Sequence, residues 1–116
     1  MDVSVFLKLL TVWLSMLGIV WVINPKAGLH ESVGVHGIFV ARLVGAYQII
    51  IGAMNWLIST QDHRLVQHFL WVDLLMNAIP IVLITANILS HKFAKSEIAG
   101  IVAHVLPVIG LVAYLV

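Results

Sequence analysis

The 116-residue chain predicts an all-α fold, an integral membrane four-helix up-down bundle forming one domain over 1–116. Three observations carry that expectation. Hydrophobic residues make up 62% and charged residues only 9%, with mean hydropathy +1.11, which lies outside the range of a soluble domain. Four apolar stretches each reach the length of about 20 residues that a helix rising about 1.5 Å per residue needs to cross a hydrocarbon core roughly 30 Å thick. Only short polar breaks separate them, so neighbouring helices must run antiparallel.

The first span is placed at Val3 to Ile23. It opens on Met-Asp rather than on basic residues, and no small-x-small cleavage site follows Trp21, so it reads as a retained helix rather than a signal peptide. Asn24, Pro25, Lys26, Ala27 and Gly28 break it, because proline removes a donor and disfavours helix in the residue before it. The second span is Gly37 to Ile58, ended by Ser59, Thr60, Gln61 and Asp62. The third is Leu65 to Leu89, and a break over Ser90 to Ser96 leads to the fourth, Ile98 to Val116, which the Ser96 hydroxyl is placed to cap. With four spans both termini share a side. The opposite loops hold Lys26, Lys92 and Lys95 against Lys8 and Arg64 on the terminal side, so the positive-inside rule puts the termini outside.

Charge and cysteine content exclude several classes. A net charge of +1 gives no electrostatic footprint for nucleic acid, so the partner is the lipid bilayer. Without cysteine there are no disulfides, thiolate metal sites or CxxC redox centres.

Each span carries one polar or small face at helical spacing. In the second, Gly37, Ala41, Gly45, Gln48, Gly52 and Asn55 share a meridian, a pattern that lets a neighbouring backbone approach closely while amides bond across the contact. In the third, Asp73, Asn77, Pro80, Ile84, Asn87 and His91 repeat the geometry. The first adds Ser4, Lys8, Thr11, Ser15 and Gly18; the fourth adds Ser96, Gly100, His104, Pro107 and Tyr114. Polar groups must point inward in lipid, so these faces glue the bundle. Ionisable groups there also mark candidate sites. Lys8 and Asp73 both lie toward the terminal side, which predicts a structural ion pair between the first and third helices. Gln48, Asn55 and Asn77 are the remaining structural polar groups.

On the opposite side Arg42, Asn87 and His104 are expected at similar depth, below His30, His36 and His91. Imidazole ligates haem, chlorophyll magnesium and transition metals, so this corner is the candidate cofactor site, although no HxxxH or Glu-x-x-His spacing supports a metal. A guanidinium at that depth must snorkel, pair or donate to carbonyls. Glu31, or the carbonyls near Asn24, is its expected partner, with Asn87 and His104 completing the hydrogen bonds.

The size matches small multidrug-resistance transporters, but the glutamate of their first helix has no counterpart where this chain has Lys8. Small fluoride channels share the size without the glycine and arginine pattern. The stretch from Leu17-Gly18 to Asn24-Pro25, then Ala41-Arg42-Leu43-Val44-Gly45-Ala46, Gly52-Ala53 and Asn55-Trp56-Leu57, resembles the small four-helix bacterial membrane proteins called DoxX-like. The resemblance spans most of the chain and implies a bacterial inner-membrane location. Name-giving members of that group are small subunits of a membrane quinone-linked thiosulfate oxidoreductase, which implies an accessory role.

Three functions follow. The first is a non-enzymatic accessory or structural subunit docking onto other membrane-protein subunits or self-associating. The second is a redox-linked subunit binding quinone, haem or chlorophyll through His104, Arg42 and Asn87. The third is a small solute or ion carrier using Asp73.

Overall fold

A computed structural model describes residues 1–30, 32–91 and 94–116. Four helices account for nearly all of them: α1 over Val3–Ile23, α2 over Val35–Ile58, α3 over His63–Ser90 and α4 over Lys95–Leu115, with a single 3-10 turn at Pro25–Ala27. Every one is long and apolar enough to cross a membrane. The outward faces agree with that, because Leu9, Met16, Phe39, Ile50, Leu75 and Ile109 are all exposed.

The spans match the sequence reading to within three residues, and the differences have local causes. The carboxylate of Asp2 accepts from the Ser4 amide and starts α1. That of Asp62 accepts from the amides of Arg64 and Leu65, satisfying two donors at the start of α3 and extending it two residues beyond the expected Leu65. Ser96 does not cap α4. The helix begins earlier, at Lys95 with Ala94 as its N-cap, and the Ser96 hydroxyl instead donates to the Leu29 carbonyl at 3.3 Å.

The helices are arranged around a square in chain order. The closest pairs are α1 with α2 and α3 with α4; α1 and α3 lie on one diagonal, α2 and α4 on the other. The α1–α2 contact follows the small-residue stripe. A methyl group added to Gly18 would lie 2.5 Å from the Gly45 carbonyl oxygen, and one added to Gly45 would lie 2.6 Å from Cβ of Trp21 and 2.7 Å from the Gly18 oxygen. Only glycine at both positions allows that approach. One side chain then bonds across the seam: Thr11 Oγ1 donates to the Gly52 carbonyl at 2.7 Å. Gly37, which opens the stripe, meets only the Val33 side chain.

Two apolar layers close the interior. Leu7, Leu10, Leu14, Val66, Leu70 and Leu111 fill the end near the termini, and Trp21, Leu29, Ala41 and Ile84 fill the end near the first and third loops. Pro80 and Pro107 sit inside α3 and α4, and each must leave the carbonyl four residues earlier without its helical donor. For Pro107 that carbonyl belongs to Ala103, and the indole of Trp13 from α1 donates to it at 2.8 Å. The bend is thus satisfied by a neighbouring helix.

Candidate functional site: a buried polar chain

The inward stripes of α2, α3 and α4 bring Gln48, Asn55, Asp73, Asn77, Glu97 and His104 into the interior, all fully buried. Amphipathic spacing places them there. On α4 the buried residues Glu97, Gly100, His104, Pro107 and Leu111 follow steps of three and four, as do Asp73, Asn77, Pro80 and Ile84 on α3.

A hydrogen-bonded run links all four helices. Asn55 Nδ2 donates to Asp73 Oδ1 at 2.6 Å, and one turn further along α3 the amide of Asn77 donates to the Asp73 carbonyl at 2.9 Å. The oxygen of the Asn77 side chain faces His104 Nδ1 at 3.3 Å. From the other side of the ring, Trp21 Nε1 donates to His104 Nε2 at 3.2 Å. An indole nitrogen only donates, so Nε2 is the acceptor and the ring proton sits on Nδ1, pointing at Asn77. Both imidazole nitrogens are therefore held by the protein.

Other atoms in this interior lack such partners. Among the described residues, Asp73 Oδ2, Asn55 Oδ1 and both polar atoms of the Gln48 amide have no hydrogen bond, and neither oxygen of Glu97 has one. The Glu97 carboxylate lies 3.5 Å from His91 Nε2, and the His91 ring stacks on His30 with centroids 4.0 Å apart. Buried polar atoms without partners cost free energy in any low-dielectric interior, so the Asp73–Asn55 pair and the Glu97 carboxylate beside His91 are each suited to take up a proton or water.

The structure separates several residues that the sequence joins. Lys8 and Asp73 form no ion pair: the Lys8 ammonium lies 5.5 Å from the Trp56 ring centroid, and Asp73 is engaged by Asn55. The reason is positional, because α1 and α3 are diagonal and α2 supplies the nearer partner. Arg42, Asn87 and His104 do not form one corner either. Arg42 is exposed on α2, diagonal to the α4 helix that carries His104, and Asn87 is half-buried, its amide nitrogen without a partner among the described residues. The expected Arg42 partner, Glu31, lies outside the described residues. His36 is exposed, and no group of three His, Asp or Glu side chains among the described residues is arranged to hold a metal ion.

Two members of the site were missed by sequence reasoning. Glu97 continues the His104–Gly100 spacing one step back, but it falls between the expected break, which ends at Ser96, and the expected span, which opens at Ile98. Trp21 belongs to none of the inward faces expected from the sequence, yet it is buried with its ring centroid 6.0 Å from that of His104. Beside these two rings, Leu17, Val20, Ala27, Gly28, Ala99 and Gly100 complete a mostly apolar cavity of about 210 Å³ between α1, the 3-10 turn and α4.

Comparison with protein-family models, curated proteins and solved structures finds no match. The fold and the buried chain define the molecule as a four-helix bundle whose helices are each long and apolar enough to cross a membrane, with ionisable groups in its interior.

Proposed function

We propose that the chain is a small ion carrier of the membrane, with Asp73 as its ion-binding group and Asn55 and Asn77, which bond to it, as the polar groups around it. One observation carries the reading: among the described residues, a fully buried carboxylate keeps one oxygen without a partner, beside an amide whose oxygen is also unpartnered. A purely structural polar contact has no need of spare acceptors. Ionisable groups inside membrane helices are rare and often belong to ion or proton pathways. Asp73 is held by Asn55 from α2 and by its place on α3, so binding and release at its second oxygen can proceed while the first keeps the helices together.

The test is reconstitution in liposomes with an internal pH dye, under an imposed sodium or proton gradient. Wild-type protein should discharge the gradient faster than protein-free vesicles, and Asp73→Asn, which keeps an oxygen for Asn55 to donate to, should abolish the flux while helical content stays the same. Flux indistinguishable from empty vesicles, or undiminished in the variant, overturns the reading.

A second reading, the accessory subunit implied by the DoxX-like resemblance, is supported by a different feature. An apolar groove of about 520 Å³ runs along the outer side of α2 and α3, lined by Val40, Leu75, Ala78, Ile79, Val82 and Ala86, with room for an apolar side-chain ridge of another subunit. On this reading, native mass in mild detergent exceeds that of one chain. Either role is assigned to the bacterial inner membrane, with both termini outside. Quinone, haem or chlorophyll binding is the less favoured alternative, because a ligand on His104 must displace Trp21 or Asn77.

A further inference from the structure

Arg42 belongs to none of these interior contacts. It is exposed, and it makes no hydrogen bond or ion pair among the described residues. Its position makes that unusual. Arg42 comes seven residues after Val35, the first residue of α2, so its Cα lies about 10 Å along the helix from that end. At about 36 Å, this 24-residue helix is only slightly longer than the roughly 30 Å hydrocarbon layer. The Arg42 backbone thus falls within the hydrocarbon, on the outer surface of the bundle.

Helix geometry decides where the side chain can go. Each Cα–Cβ bond tilts toward the helix N-terminus, which here is the nearer membrane face. Residues three and seven positions earlier, Phe39 and Val35, share the Arg42 face and are 64% and 81% exposed, so no packed neighbour bars the way. An outward arginine on that face extends along these two side chains and presents its guanidinium at headgroup level. Guanidinium binds phosphate in bidentate fashion, and the same end of the bundle adds exposed Lys95 to its positive field.

We infer that Arg42 is a lipid-facing binding site for the phosphate of an anionic phospholipid in the leaflet next to the first and third loops. The site rests on the membrane-spanning reading but not on ion transport by Asp73. Native mass spectrometry of the protein in mild detergent, titrated with phosphatidylglycerol or phosphatidylcholine, tests it. Wild type should retain phosphatidylglycerol several-fold more than phosphatidylcholine, and inorganic phosphate should not displace it, because the acyl chains add contact with the apolar outer surface of α2 that free phosphate lacks. Arg42→Gln should erase the preference while helical content is unchanged, and Arg42→Lys should keep part of it. Equal retention of the two lipids by wild type, an undiminished preference in Arg42→Gln, or displacement by inorganic phosphate overturns the site. Loss of the Asp73-dependent flux in Arg42→Gln is not expected, so the two proposals fail separately.

Discussion

Replacing Gly45 with leucine tests the packing that sets the position of every interior group. The first added atom would lie 2.6 Å from Cβ of Trp21 and 2.7 Å from the Gly18 carbonyl oxygen, whereas carbon atoms rest at about 3.5–4.0 Å. The deficit is about 1 Å against groups fixed to the α1 backbone, so no flexible side-chain end can yield; α1 must move away from α2 as a unit. That movement lengthens the 2.7 Å bond from Thr11 to the Gly52 carbonyl and withdraws Trp21 from His104. Overpacking of this kind costs about 1–3 kcal/mol. Unfolding in mixed detergent micelles, followed by circular dichroism, reads the change, with the exposed Ala53→Leu as a control for added bulk on the outer surface. Gly45→Leu should unfold at clearly lower denaturing-detergent fraction and the control should match wild type. Equal stability of the two variants would mean that the helices do not meet at this glycine, and the geometry argued above would be wrong.

Other consequences follow from the same contacts. Trp13→Phe removes the donor to the Ala103 carbonyl freed by Pro107 and should cost about 1 kcal/mol in the same unfolding assay, the size of an interhelical bond in lipid; no change would mean that the carbonyl finds another donor. Lys8→Met should leave the stability cost of Asp73→Asn unaltered, since a double-mutant cycle between groups that do not meet has no interaction energy; a coupling above about 0.5 kcal/mol would restore the ion pair. His104→Ala leaves the Trp21 indole and the Asn77 amide without their partner, each loss worth about 1–3 kcal/mol, and should leave the visible absorbance of the purified protein unchanged. A visible band that disappears with His104 would instead identify a ligated pigment.

The four spans and their inward faces were legible because they depend on local rules. Apolar length makes each helix, proline and glycine end the first, and spacing of three and four assigns a face; Ala41, Gly45, Gln48, Gly52 and Asn55 are all buried as that spacing requires. Even the Gly45 contact could be read this way, since small residues have little other purpose at such a seam. What no spacing reveals is which helix stands beside which. Lys8 and Asp73 have matched depth and inward faces, yet the square order of the helices puts them on a diagonal and gives Asp73 to Asn55. The same order separates Arg42 from His104 and joins Trp21 to it instead. Glu97 shows the complementary limit: its periodicity was visible, but only the early start of α4 carries the carboxylate inside, where it is fully buried beside His91. Periodicity is a property of one helix and fixes an angle about its axis. Pairing depends on the order of helices around the bundle and on small differences in where each one starts, both set by packing between segments distant in sequence.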